Sequence, residues 1–330
     1  MLNSIVFVVI LFALIFEFIN GFHDTANAIA TSVYTKALTP RKAIALAAIM
    51  NLAGALVSEK VAATISKGLI DIQIEQYVVL AALIGAIIWN LFTWWLCIPS
   101  SSSHALIGSL VGAVIVYTMS LEHVIWSGVL MKVIVPLFTS PLLGLMIGFL
   151  CMKALYYLCK SWSPFTVSRR FQKLQIFSSA FVAFSHGNND AQKTMGIIAL
   201  ALVTEGVLTS ADGVPLWVKL SCAVVMALGT SVGGWKVMKT MGSGVTRISP
   251  ASGFAAQTSS AIVIEIMTFL GAPVSTTQVI TTSIMGTGTA HRATAVRWGV
   301  AGNIFTAWIV TLPAAMVLGG FTAFVLGWWG

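Results

Sequence analysis

The chain has 330 residues, of which 58% are hydrophobic and only 8% carry charge. Soluble domains carry about 25% charged residues, so a water-soluble fold is excluded, as are a disordered chain, a collagen-like chain and a disulfide scaffold. The net charge of +8 does not indicate nucleic-acid binding, because the cations sit in short loops between apolar runs, where they orient a membrane protein.

A helix that crosses a bilayer needs about 20 mostly apolar residues. In chain order the candidates are 4–33, 40–57, 77–98, 103–117, 124–159, 175–204, 215–234, 250–270, 274–290 and 298–327. The opening MLNSIVFVV lacks a basic leader, so the first segment is expected to stay as a span. Segments 4–33 and 175–204 are too long for one plain helix, and each carries a polar cluster at or past its middle. Segments 103–117 and 274–290 are too short, and Pro with Ser or Thr stands at or just before their starts. Broken and half-length helices mark transporter binding sites. Cys97, Cys151, Cys159 and Cys222 form no C-x-x-C pair and are expected to pack as small hydrophobes. The pairs Gly108/Gly112 and Gly144/Gly148 are expected where helices approach closely. The terminal Trp328-Trp329 reads as an interface anchor.

Charge placement predicts the topology. Lys36, Arg41 and Lys42 occupy loop 34–42, and Lys160, Arg169, Arg170 and Lys173 occupy 160–173. Lys236, Lys239 and Arg247 occupy 235–247, and Arg292 and Arg297 occupy 291–297. None of these loops holds an acid, whereas loops 58–76, 118–123 and 205–219 are net negative. The first set is therefore expected in the cytoplasm and the second outside, with the N-terminus starting outside.

An internal repeat agrees with that path. FHDTAN at 22–27 is echoed by NNDAQK at 188–193, which sets Asp24 against Asp190. Pro99-x-Ser-Ser-Ser-His104 is echoed by Pro273-x-Ser-Thr-Thr-Gln278, and Trp126 with Thr139-x-Pro141 by Trp298 with Thr311-x-Pro313. Three collinear pairs at nearly one offset predict an all-α polytopic membrane protein of two inverted-topology repeats, with broken helices and re-entrant hairpins. The first repeat is 1–159, a basic cytoplasmic linker is 160–174, and the second repeat is 175–330. Such an architecture places a substrate site at the repeat interface.

The chemistry-bearing residues follow. An ionised carboxylate at the bilayer centre costs at least ~2.5 kcal/mol, so Asp24 and Asp190 need a bound cation, a proton or a basic neighbour. Asn27, Asn188 and Asn189 add carbonyl oxygens, which together with the carboxylates suit Na+ or Mg2+ better than a soft metal. Lys193 lies one helical turn from Asp190, where it neutralises the aspartate or meets an anionic substrate. The Ser100–Ser103 run and the Ser275, Thr276, Thr277 run each follow a proline and open a short helix. Free N–H groups and hydroxyls there make an anion cradle, against the plainer reading of N-caps. His23, His104 and His186 flank these motifs as proton carriers or buried hydrogen-bond partners. Glu17 and Glu265 are secondary candidates for ion coupling.

The stretches GFHDTANAIAT at 21–31, PSSSSHALIG at 99–108, AFSHGNNDAQKTMG at 183–196, GTSVGGWKVMKTMG at 229–242 and PVSTTQV at 273–279 resemble the inorganic phosphate transporter family across nearly the whole chain. The compact length resembles its bacterial low-affinity members. The resemblance implies phosphate import by cation symport across the plasma (inner) membrane, with alternating access and no enzymatic activity. It implies that Asp24, Asn27, Asp190 and His23 serve the coupling ion. It further implies that Ser101, Ser102 and Ser103 cradle phosphate with Ser275, Thr276 and Thr277, and Gln278, Lys193 and Asn189 beside them are further candidates for substrate binding. The common form of the motif has Asn before Asp in both halves; here His23 precedes Asp24, and Lys193 stands at the position matching Asn27. A cationic Lys193 replaces a bound sodium, which favours proton coupling, with phosphate moving alone or with a divalent metal. No resident cofactor is implied beyond Na+ or a phosphate-bound divalent ion. The partners are inorganic phosphate, H+ or Na+, the lipid bilayer and, as an open alternative, a second copy in a homodimer. A sulfate permease of the same fold and an anion channel are the rival functions. An intramembrane hydrolase built on Ser100–Ser103 and His104 is disfavoured, because adjacent residues at a helix start do not orient as nucleophile, base and orienter.

Overall fold

The computed structural model describes residues 4–209, 212–232 and 245–328, apart from the side chains of 25–27. Lys236, Lys239, Trp329, most of the 229–242 stretch and the Asn27 side chain therefore lie outside the described residues. The described chain is helical: α1 (Ser4–Tyr34), α2 (Pro40–Ala55), α3 (Lys60–Lys67), α4 (Gln76–Trp95), α5 (Ser102–Thr118), α6 (Trp126–Leu158), α7 (Pro164–Thr204), α8 (Leu216–Val232), α9 (Pro250–Phe269), α10 (Thr276–His291) and α11 (Trp298–Gly327). A single bridge between Ile70 and Val124 is the only β pairing among the described residues.

Several helix starts are written locally. Pro40, Pro164 and Pro250 occupy first-turn positions, where a fixed φ and a missing N–H cost nothing. Ser163 caps α7, and Ser249 forms a capping box with Ser252 at α9. Residues 164–174, expected as linker, are the first turns of α7. The basic run Arg169, Arg170, Lys173 is thus one stretch of helix rather than a loop. Residues 60–67, expected as external loop, form α3, bent 65° from α2.

The outer surface is apolar. Phe138, Leu142, Met146 and Leu150 recur at four-residue intervals along α6 and are all exposed, as are Val317, Phe321 and Phe324 on α11. Ser185, His186, Asn189, Asp190, Lys193 and Thr194 of α7 are by contrast fully buried. This inverts the arrangement of a soluble protein and fits lipid outside with a polar centre. Ser4–Tyr34, Gln76–Trp95, Trp126–Leu158 and Trp298–Gly327 are each long and apolar enough to cross a membrane. The protein is a multi-pass membrane protein.

Two hairpins, α4–α5 and α9–α10, are built alike. At the first tip Cys97 takes φ 58°, its amide donates to the Trp94 carbonyl at 3.0 Å, and Ile98 donates to Thr93 at 2.9 Å. At the second, Gly271 takes φ 70° and donates to Thr268, while Ala272 donates to Met267, both at 2.9 Å. A left-handed residue just past a helix end satisfies the last carbonyls and turns the chain back. Cys97 is exposed at its tip and Cys222 is buried, with Cys151 and Cys159 between; all four are free thiols. Only part of the cysteine expectation therefore holds.

Helices far apart in sequence pack on one another. α5 packs on α11 and α10 on α6, while α1 packs on α8 and α2 on α7. Small residues permit this approach. A Cβ at Gly112 would meet the Met316 carbonyl oxygen at 2.0 Å, and one at Gly148 would meet that of Ser283 at 2.5 Å. At Gly302 on the lipid side a Cβ would meet nothing within 4 Å. Gly112→Ala is therefore expected to lose roughly 1–3 kcal/mol through overpacking and to melt earlier in detergent. Gly302→Ala is expected to melt at or above the wild-type temperature. Equal melting of the two variants contradicts the close-approach account.

Candidate functional site

The site forms where the two hairpin tips reach α1 and α7. Ser101 and Ser275 are the N-caps of α5 and α10, accepting from the amides of His104 at 3.2 Å and Gln278 at 3.3 Å. The plainer capping reading thus holds for one residue of each run. The following residues turn their hydroxyls elsewhere. Ser102 Oγ donates to Asp24 Oδ2 at 2.6 Å and lies 2.8 Å from Asn20 Oδ1. Thr277 Oγ1, from the opposite hairpin, donates to Asp24 Oδ1 at 3.1 Å. His23 Nδ1 lies 2.8 Å from the same oxygen. Asp24 is 2% exposed, so one carboxylate is held by hydroxyls from both tips.

Asp190 is satisfied differently. Lys193 Nζ stands 2.6 Å from its Oδ1, and both side chains have at most 1% exposure. His186 Nε2 lies 3.4 Å from Oδ2, and Thr276 Oγ1 lies 3.5 Å from it. His186 Nδ1 is 3.1 Å from Asn51 Oδ1. A buried ion pair is strongly destabilising when broken from one side, because a charge is left without a partner.

Other expected residues take supporting places. Ser103 Oγ donates to the Val274 carbonyl at 2.8 Å, pinning the first tip to the second. Asn189 Nδ2 donates to Thr268 Oγ1 at 2.8 Å and to the Ala272 carbonyl at 3.2 Å, which fastens the second tip to α7. Asn188 Nδ2 donates to Glu265 Oε2 at 3.0 Å. Gln278 turns away, since one residue past Thr277 rotates about 100° round the helix. It lines a separate cavity of ≈ 300 Å³ with Leu137, Pro141, Phe305 and Trp308. Sequence reasoning missed Asn20, Asn51 and Thr194. The available signal for Asn20 was a lone amide one turn before Asp24 in an apolar run. The long helices α1 and α7 are continuous rather than broken at their polar clusters. Tip hydroxyls satisfy Asp24 and Lys193 of the same helix satisfies Asp190, so no unwound carbonyls are required.

Every side chain around Asp24 and Asp190 named here is essentially without exposure, so the site is closed to both faces. Among the described residues no cluster of three or more His, Cys, Asp or Glu could hold a metal. The Asp24, Asn20, Ser102 and Thr277 oxygens are instead hard donors of the kind that suit a monovalent cation. Hydroxyls that now donate to Asp24 can turn to an arriving oxyanion, which makes anion and carboxylate compete for the same donors.

The phosphate transporter family profile matches residues 20–319. The chain belongs to the phosphate transporter family. It is 50% identical over 317 residues to a probable low-affinity inorganic phosphate transporter of Mycobacterium bovis, covering 96% of this chain and 76% of that one. A counterpart of the same name in Bacillus subtilis is 45% identical over 321 residues, covering 96% of each chain. A solved structure titled as the sodium-dependent phosphate transporter superposes with a TM-score of 0.89 at 24% identity, covering 98% of this chain and 99% of the other. That likeness establishes the fold. Family members are transporters, and the chain is not an enzyme.

The Asp190–Lys193 pair yields a test. Lys193→Met leaves a buried carboxylate alone and is expected to cost about 3–5 kcal/mol, seen as a lowered melting temperature. The double variant Lys193→Met with Asp190→Asn is expected to recover most of that loss. Additive losses in the cycle contradict a direct pair.

Proposed function

We infer that the protein imports inorganic phosphate across the plasma membrane by cation symport with alternating access. The observation that carries this reading is Asp24 held at once by Ser102 of one hairpin and Thr277 of the other. A tetrahedral oxyanion at that junction would take the hydroxyls of Ser102, Thr277 and Thr276 and the N–H groups at the starts of α5 and α10, with Lys193 supplying positive charge. The relatives' names support phosphate as the substrate. The exchanged packing of α5 on α11 and α10 on α6 supports two inverted repeats that rock about this junction. The basic residues of 34–42 and 160–173 support an external N-terminus.

The charge balance supports symport. Asp24 and Asp190 against Lys193 leave one net negative charge, to which phosphate adds one or two more. A mobile cation must enter with the anion, and each then raises the other's affinity. Lys193 already occupies Asp190 as a fixed cation, which favours a proton over sodium as the coupling ion. His23, on Asp24, lies within the same hydrogen-bonded group.

In proteoliposomes, labelled phosphate is expected to accumulate uphill under an inward acid gradient and to be displaced by phosphate in preference to sulfate. Asp24→Asn is expected to abolish accumulation. Wild-type accumulation by that variant, sulfate preference, or only downhill flux contradicts the reading. Independent variation of sodium, pH and Mg2+ identifies the coupling ion, and sodium dependence without acid dependence contradicts the proton.

A further inference from the structure

Glu17 is the one fully buried acid that the junction of tips and aspartates does not use. It lies on α1 two turns before Asp24, on the same face, with 0% exposure. The Thr194 hydroxyl of α7 donates to its Oε2, and Thr194 directly follows Lys193 in the chain. Its Oε1 has no hydrogen-bond partner among the described residues, and no Lys, Arg or His pairs with it among the ion pairs of those residues. Ala13, Phe16, Met195, Cys222 and Met226 belong to the apolar cluster through which this part of α1 packs.

A carboxylate in such surroundings with one bare oxygen is costly, whereas the neutral acid is not. The packing around Glu17 therefore suits the neutral carboxyl better than the carboxylate. The ionisable groups acting on it are few. Asp190 and Lys193 reach it from α7, and Cys222 reaches it from α8. Lys219 of α8 is engaged at the external surface by Glu59. Helix α4, which also packs on α1, carries no Asp, Glu, His, Lys or Arg.

We propose that Glu17 is the proton-binding residue that couples the proton gradient to substrate movement, acting through Lys193; this rests on the import reading above. While Glu17 is protonated, Lys193 has one partner, Asp190, and the group of Asp24, Asp190 and Lys193 carries a single net negative charge. When the proton leaves, a second carboxylate beside Lys193 competes for the same ammonium and adds a negative charge to the centre. Phosphate is then repelled. Proton and phosphate thus bind together outside and leave together inside, with no covalent bond made or broken and one proton taken up and released per cycle at this carboxyl. Glu17 itself makes no contact with phosphate.

The test uses the full chain in proteoliposomes with labelled inorganic phosphate. Glu17→Gln, a permanent mimic of the protonated acid, is expected to lose acid-gradient-driven accumulation by roughly tenfold or more. Phosphate-for-phosphate exchange, which needs no net proton movement, is expected to persist within about twofold and to lose its decline at alkaline pH. Acid-driven accumulation by Glu17→Gln at the wild-type level overturns the proposal, and so does loss of exchange together with accumulation in a folded variant. A wild type that takes up no phosphate under any gradient overturns the import reading instead. If Glu17→Gln does not fold, Thr194→Val replaces it. Removing the hydroxyl that favours the ionised form is expected to move the alkaline decline of wild-type-like exchange upward by about half a pH unit or more; an unmoved profile overturns the proposal.

Discussion

The structure depends on the cost of keeping carboxylates out of water. Asp24 and Asp190 are buried in a chain that carries little charge anywhere else, and each must be satisfied by the protein itself. Asp24 is met by hydroxyls from both hairpins and an imidazole from α1. That requirement brings the tips to the centre. It accounts for the two short helices that start in the interior, for the left-handed turns at Cys97 and Gly271 that reverse the chain, and for the glycines that let α5 lie against α11 and α10 against α6.

Asp24 and Asp190 meet the same problem with different chemistry. Around Asp24 the partners are neutral donors or a titratable histidine, and each can be exchanged for an ion or an anion. Around Asp190 the partner is a lysine one turn along the same helix, which the chain cannot release into solution. A strictly symmetric site would need two mobile cations to neutralise two aspartates. Here one is built in, which leaves a smaller charge imbalance at the centre. Glu17 and Thr194 lie behind this pair, with the Thr194 hydroxyl donating to the Glu17 carboxylate.

Much of this was legible in the sequence. The helical segments, the paired Asp motifs and the Pro-Ser tips were marked by apolar runs interrupted at corresponding places. Ser102 and Thr277 reach Asp24, and Lys193 and Thr276 reach Asp190. Less visible were features that depend on contacts between distant segments. Periodicity along α10 alone does not reveal that Thr277 crosses to Asp24 while Thr276 stays with Asp190. Gln278 carried the right chemistry but sits on the wrong side of its helix. The Arg169, Arg170 and Lys173 run looked like loop because its charge outweighed the Ser163-Pro164 helix start beside it. The polar cluster of α1 looked like a break because the hydroxyls that satisfy Asp24 come from distant segments, and that of α7 because Lys193 satisfies Asp190 without leaving the helix.

The central claim is that Ser102 and Thr277, from opposite hairpins, act on one phosphate ion beside Asp24. Equilibrium binding of radiolabelled phosphate to purified wild type, Ser102→Ala, Thr277→Ala and the double variant tests it most directly. A shared site predicts that each single change weakens binding and that the two together depart from additivity by about 0.5–3 kcal/mol. Additive effects, or single variants that bind as wild type does, would show that the hairpin tips do not share a ligand.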